Sequence, residues 1–424
     1  MKIKFKHLLV FSILLINVGL LFGYKLQGRF AVSNVFQILS FIFMIPVFLK
    51  TFKLKHYIQI IAFVATILGA SWLMSIIYDY TFKVENFVFF LICFIQLICI
   101  YSLANSEENE SILPLVIKVQ KTLIIPVCLY LLFYAANDVF KLGLPNSSFG
   151  FDDKSHAVII LQFYAFITFS LIKSNMKYII SLIFLGLSLL TISRLAVIFL
   201  PFYIIALIIN LSKNNKNFLQ VYFKFIFVST VLSLGIIFLI KNQDYFKVFE
   251  RVNSVQSIED SDSTLAHIQL IKYGVLLKFD NLANFLLGVT PGGFAPVLAK
   301  SDINFSSFFV IDPAAYRAIY LGIAPMHSTH FSIFTEFPIY IFVIYLVLLY
   351  KIAKNLLKKK LWVESLFFFG FLISTTFYST HNELLFYGIL IYLIIVSIYM
   401  QHKELTSHPA HPKRCSTSSG RSWM

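Results

Sequence analysis

Residues 177–213 read KYIISLIFLGLSLLTISRLAVIFLPFYIIALIINLSK, an apolar run of about thirty-five residues held between two lysines. As one helix rising 1.5 Å per residue it would be about 50 Å long, too long for a simple crossing of a hydrocarbon layer about 30 Å thick. Lys173 and Lys177 stand at one end and Lys213 and Lys216 at the other. Positive charge of this kind marks the cytoplasmic side, so the chain must cross and return. Two short helices of about sixteen residues each meet both constraints, each reaching about 24 Å. Their turn, Thr191-Ile192-Ser193-Arg194, then lies below the outer surface. An arginine at that depth costs a few kcal/mol unless it faces a watery cavity or a counter-ion.

The rest of the chain repeats the pattern. It is 58% hydrophobic and only 13% charged, with a mean hydropathy of +0.81. Continuous apolar runs, not period-two alternation, predict an all-α polytopic membrane protein and exclude a barrel. About twelve spans are expected, near 8–24, 31–49, 57–78, 86–104, 116–136, 156–172, 178–192, 195–212, 217–240, 330–350, 362–380 and 384–400. Lys2, Lys4 and Lys6, then Lys50, Lys53 and Lys55, Lys118 and Lys121, the two pairs above, and Lys351, Lys354, Lys358, Lys359 and Lys360 all fall on one side. Both termini are therefore expected in the cytoplasm.

This divides the chain into nine spans over 1–241, one large extracytoplasmic loop over 242–327, three spans over 328–401 and a disordered cytoplasmic tail over 402–424. A smaller outer loop runs from about Asn137 to Ser155. The N-terminal segment has a signal peptide's charge and length but no small-residue cleavage site, and reads as an uncleaved first helix.

The net charge of +15 does not indicate nucleic acid, because its lysines sit in topology-determining clusters. Cys93, Cys99 and Cys128 lie within apolar runs and Cys415 in the tail, with neither metal-ligand spacing nor a disulfide framework. No metal or cofactor is expected.

Polar residues that can carry chemistry gather on the outer side. Arg194 can hold a phosphate at the floor of an outward cavity, and Arg251 and Arg317 are further candidates in the large loop. The guanidinium fork donates two parallel hydrogen bonds to phosphate and keeps its charge at any physiological pH. His327 and His330 sit in Pro325-Met326-His327-Ser328-Thr329-His330, where the loop re-enters the membrane. The H-x-x-H spacing lacks a third ligand, so a general base or a sugar contact fits better than a metal. Glu336 lies about two and a half turns into the expected tenth span, a functional candidate or a partner for an arginine. Ser263 to Lys278 is expected to form an amphipathic helix along the membrane surface, with Ser263 as N-cap; His267 on it reads first as a plain helix residue and second as a substrate contact. Gly288-Val289-Thr290-Pro291-Gly292-Gly293-Phe294 is turn-rich but lacks the Gly-Lys-Ser/Thr ending of a phosphate loop. Loop aromatics such as Tyr245, Phe305, Phe308, Tyr316 and Tyr320 either stack on sugars or pack together.

Four of these features together resemble the O-antigen polymerase and O-antigen ligase superfamily of bacterial polysaccharide assembly. Ser193-Arg194 is similar to that superfamily's Ser-Arg turn, and Gly288 to Phe294 to its G-x-G-P-G-x-F segment. His327 with Glu336 resembles its His-Asn…Glu-x-Gly element, and Phe149 to Ala157 loosely resembles a stretch before a middle helix. The resemblance covers roughly residues 140–340. Departures are Leu195 for a glycine, Ser328 for an asparagine, Pro338 for a glycine, and Thr264 to His267 where relatives often carry an arginine. The second phosphate-binding arginine is thus open between Arg251 and Arg317.

The resemblance implies a metal-independent, GT-C-like glycosyltransferase of the bacterial inner membrane. Its donor would be a glycan on undecaprenyl diphosphate, held by Arg194 and a loop arginine. His327 would take the proton of the attacking hydroxyl; from the residues themselves, Glu336 is a second catalytic candidate and His267 and His330 are further substrate-contact candidates. In a polymerase the acceptor is one repeat unit on a second carrier lipid, and a membrane protein that regulates chain length is a natural partner. In a ligase the acceptor is lipid A-core. The rival from another class is a lipid-linked oligosaccharide flippase, which has no need of a large outer loop.

Overall fold

A computed structural model describes residues 5–22, 25–27, 30–82, 85–104, 113–138, 147–151, 153–213, 262–378 and 384–407. The expected ninth span (217–240), Arg251, Tyr245 and residues 408–424 lie outside the described residues. Among the described residues, apart from a two-stranded antiparallel ribbon, Lys25–Gln27 on Phe30–Ala31, the regular structure is helical.

Among the described residues, eight helices precede the large loop: α1 (Phe5–Gly19), α2 (Val32–Thr51), α3 (Leu54–Ile77), α4 (Glu85–Ala104), α5 (Leu113–Ala136), α6 (Lys154–Leu171), α7 (Met176–Leu189) and α8 (Arg194–Lys213). The loop contributes α9 (Asp262–Phe279), α10 (Leu282–Leu287), α11 (Phe294–Lys300), α12 (Phe308–Ile311) and α13 (Pro313–Tyr320). Then come α14 (Thr329–Glu336), α15 (Ile339–Lys358), α16 (Trp362–Thr376) and α17 (Leu384–Ser407).

Six of these helices (α2, α3, α5, α6, α8 and α15) are long and apolar enough to cross a membrane, and five shorter apolar helices accompany them. The chain is a helical membrane protein. Each of the eleven expected spans within the described residues overlaps one of these apolar helices, of which six have the length to cross.

Three boundaries differ from expectation. The return pair is unequal, 14 residues in α7 and 20 in α8, although its turn falls where the lysines require. The tenth span begins at Ile339, not at 330. Pro338 has no N–H to continue a helix and forces Phe337 into extended backbone (φ −104°, ψ 158°), so α14 ends at Glu336. Glu336 therefore closes a short separate helix and is not deep in a span. Finally, α17 runs to Ser407, into the tail expected to lack structure; Lys403, Glu404 and Leu405 are good helix formers.

The bundle is organised around α6, whose residues from His156 to Phe169 are buried. Phe163 packs on Phe367 of α16 (5.7 Å) and on Tyr392 of α17 (5.0 Å), and Phe166 on Tyr203 of α8 (5.9 Å). Burial on every side fixes the two ends of α6, and with them the neighbouring ends of α8 and α16.

Residues 262–326 make a second hydrophobic core of their own. Ala266, Leu270, Tyr273 and Leu277, spaced along one face of α9, pack with Phe294, Val297 and Leu298 of α11, with Phe308 and with Ile319. The predicted surface helix is thus the spine of a small cap. Its aromatics mostly pack on one another: Phe305 meets Tyr316 (5.6 Å) and Tyr320 (5.3 Å), and Tyr273 meets Phe308 (5.9 Å).

The cap sits on one end of the bundle. Tyr78, just past the end of α3, donates to Asn284 Oδ1 (3.1 Å) and Tyr80 to the Val289 carbonyl (3.0 Å). Lys300 reaches Asp79 at the same end. The lysines between α2 and α3 and between α15 and α16 lie at the opposite ends of those helices.

Candidate functional site at the bundle–cap junction

Two helices of the bundle begin under the cap. Asp153 is the N-cap of α6, and its Oδ1 accepts from the Ser155 amide (2.7 Å). Ser193 caps α8: its carbonyl accepts from the Ala196 amide (3.1 Å) and its Oγ from the Leu195 amide (3.4 Å). Arg194 is thus the first residue of α8 and is exposed, as is Asp153. The turn before it is constrained. Thr191 Oγ1 donates to the Ser188 carbonyl (2.7 Å) and accepts from the Ser193 amide (3.2 Å), while the Ser147 amide donates to the Leu190 carbonyl (3.1 Å). Ile192 adopts φ +56°, a region that a β-branched side chain rarely enters. Strain held by the surrounding bonds in this way is typical of a turn that must aim a particular side chain.

The cap lowers two histidines onto this end. His267 from α9 and His327 from the chain before α14 stack face to face, with centroids 4.6 Å apart and planes within 3° of parallel. His267 also hydrogen-bonds the backbone of Phe377, the residue that ends α16. Asp153 and Arg194 both act electrostatically on His267, and Asp153 and Asp312 on His327. Asp312 is there because it is the N-cap of α13, accepting from the Ala315 amide (2.8 Å). His327 is held from behind. Ser328 caps α14, and the Met326 carbonyl accepts from the Ser328 amide (2.9 Å) and from Ser332 Oγ (3.3 Å).

Burial of both rings makes the charged imidazolium costly, and both titrate below the ordinary histidine range. His267 is pushed down to about 4, by burial first and then by His327, with Arg194 adding to the effect. Asp153 and Asp312 oppose the shift at His327. At neutral pH the junction therefore presents two uncharged, proton-accepting rings between a guanidinium and two carboxylates.

The other sequence candidates lie elsewhere. His330 is turned inward, with Nδ1 2.5 Å from the Tyr345 hydroxyl and Nε2 2.8 Å from the Leu372 carbonyl and 3.1 Å from Thr375 Oγ1. The helix start between His327 and His330 separates the pair, and they do not share a site. Glu336 is buried at the end of α14, close enough to Tyr80 to help push that phenol up to about 12, although burial is the larger cause. Arg317 is exposed on α13, one turn beyond Asp312. Among the described residues, no group of three or more His, Cys, Asp or Glu side chains is arranged to hold a metal ion.

The Gly288–Phe294 turn binds the cap to the bundle. The Val289 amide donates to the Thr335 carbonyl (3.0 Å), and Tyr80 shares a hydrogen bond with Thr290. Gly288 adopts φ +74°, and a Cβ there would lie 2.5 Å from the carbonyl carbon and oxygen of Phe337. Only glycine allows so close a backbone approach. The same carbonyl accepts from the buried Lys278 Nζ (2.9 Å).

Asp153 and Asp312 were not among the sequence candidates. Each precedes a helix in the manner of an N-cap, which is a readable signal; their convergence on His327 is tertiary. No family model matches the chain, and no curated protein matches it.

Proposed function

We propose that this protein joins lipid-linked oligosaccharide repeat units into a surface polysaccharide, as a metal-independent glycosyltransferase of twelve spans and GT-C-like plan. On this reading both termini are in the cytoplasm, the cap lies on the outer face of the inner membrane, and the donor and acceptor ride on undecaprenyl diphosphate. The observation that supports it is the convergence of Arg194, Asp153, His267 and His327 where the bundle meets the cap.

The chemistry asks for such a set. Breaking the anomeric bond releases a lipid diphosphate, and its growing negative charge needs a preorganised cation, the role given to Arg194. The attacking sugar hydroxyl must lose a proton, and a neutral imidazole takes it. Arg251, outside the described residues, and exposed Arg317 remain the candidates for a second phosphate contact. Glu336 takes a supporting role on this reading, holding the end of α14.

The test is a polysaccharide gel from a strain with the gene deleted, with blotting for glycan left on the carrier. Surface lipopolysaccharide capped at one repeat unit is the expected result. Long chains on the carrier with bare core would make the protein a ligase. An unchanged ladder would remove both readings and favour a flippase or a scaffold.

A further inference from the structure

We infer that the corner of the cap formed by the end of α9 and by α10 is an interfacial foot, seated among the phospholipids of the leaflet on the cap's side. The inference rests on the chain being a membrane protein and not on its reaction.

The corner has the polarity of a surface that does not face water. In α10, Asn284 is buried and engaged: its amide donates to Asn281 Oδ1 (2.9 Å), its Nδ2 donates to the Leu277 carbonyl (2.9 Å), and its Oδ1 accepts from Tyr78 (3.1 Å). Leu282 and Leu286, one turn apart, are turned outward instead, 71% and 46% exposed. The end of α9 repeats the inversion. Lys278 is buried, with Nζ on the Phe337 carbonyl (2.9 Å) and 5.7 Å from the centre of the Phe334 ring, while its neighbour Phe279 is 61% exposed. A lysine beside water keeps its ammonium out and lays its stem along apolar surface. Here the ammonium is turned in and leucine and phenylalanine are turned out, the order that lipid favours.

Position selects lipid as the partner. The corner is built onto two helices that are long and apolar enough to cross a membrane, because α10 packs on both α3 and α15. Asn281 Nδ2 donates to Tyr78 Oη (2.8 Å), just past the end of α3. Phe279 packs on Phe334 (5.9 Å), which packs in turn on Phe342 of α15 (5.0 Å). Near their cap ends both helices expose apolar side chains, Ile76 and Ile77 on α3 and Tyr340 and Val343 on α15. Phe279, Leu282 and Leu286 continue that lipid-facing surface past the ends of the spans. Charge sets the depth. Lys272, about two turns before Phe279 on the same face of α9, and Asp280 are both exposed. They stay among the headgroups while the leucines and the phenylalanine reach the acyl boundary.

The experiment uses the full chain in phospholipid nanodiscs. Leu282→Cys and Leu286→Cys, each with Cys415→Ser, carry a nitroxide, and Val343→Cys serves as the lipid-facing reference. At both cap positions, collisions with oxygen should exceed those with a water-soluble nickel chelate severalfold, as at Val343. Collisions dominated by the chelate at either position would place the corner in water and overturn the foot. Exclusion of both reagents would mean that protein covers it, a second copy or residues 214–261 of this chain, and would overturn it equally. The unlabelled wild type gives a reading that misfolding of a variant cannot spoil. With a diazirine in the acyl chains of the nanodisc lipid, irradiation should leave lipid adducts between Leu276 and Leu286 as well as on α3 and α15. Adducts on α3 and α15 alone would sink the inference.

Discussion

Two regions of this molecule carry the polar motifs that stand out in its sequence, and they are built in opposite ways. At the His267–His327 junction, Arg194 and Asp153 are exposed at helix starts and two neutral rings are half-buried between them. At the Gly288–Phe337 junction the polar groups are turned into the fold: Tyr80 bonds Val289 and Thr290, Lys278 bonds Phe337, and Glu336 is buried. The first arrangement leaves charge where a ligand can meet it. The second uses charge and glycine to lock the cap onto the bundle. A motif that resembles a site element can therefore act by holding the site's parts in register.

The sharpest way to break this contrast is to mutate one residue in each region and compare product with protein. Arg194→Ala should lower elongation on the order of 100-fold or more while folded protein in the membrane is unchanged. Gly288→Ala should do the reverse. It combines an unfavourable φ with a backbone clash at 2.5 Å, so a loss above about 3 kcal/mol is expected, seen as lost folded protein with activity per molecule retained. Glu336→Gln should follow Gly288, its product falling only as its yield falls. Lost elongation at full yield in Glu336→Gln would move that carboxylate into the chemistry and dissolve the distinction.

A smaller effect separates the regions by pH. His267 titrates near 4 in the folded protein, against about 6.5 for an ordinary histidine. The unfolded chain therefore binds this proton first as pH falls below 6.5, and stability is lost progressively down to about 4, where the loss levels off. For a ring still partly open to solvent the contribution is on the order of 2 kcal/mol. Melting of the detergent-solubilised protein at pH 7.5 and 4.5 should show a drop that His267→Gln reduces. A drop of equal size in that variant would place the acid sensitivity elsewhere.

The sequence made the bundle legible because a membrane span needs a continuous apolar run, and lysine clusters mark where such runs end. The α7–α8 turn could be placed from charge and length alone. The break at Pro338 was readable from the residue type, yet the apolar run across it masked a short helix. What could not be read was the stack of His267 on His327. They lie 60 positions apart in sequence, and nothing local to α9 says that Gly274 must let Met326 approach. Asp153 likewise reads as an N-cap, and only the packing of α6 against α8 and α16 brings it under the cap.

That close approach supplies the finest test. A Cβ added at Gly274 would lie 2.1 Å from Met326 Cε and 3.1 Å from Thr335 Oγ1. The nearer atom is the end of a flexible side chain, so Met326 can swing away at modest cost. Alanine also favours helix over glycine by about 1 kcal/mol. The two effects oppose each other, and Gly274→Ala should melt within a few degrees of wild type. Met326, however, is the residue next to His327, and its carbonyl is bonded by Ser328 and Ser332. Its displacement should loosen the ring stack and lower elongation severalfold at unchanged yield. Normal elongation with a displaced Met326 would mean that the stack tolerates movement from behind, and that the bond from His267 to the Phe377 backbone is enough to keep the rings together.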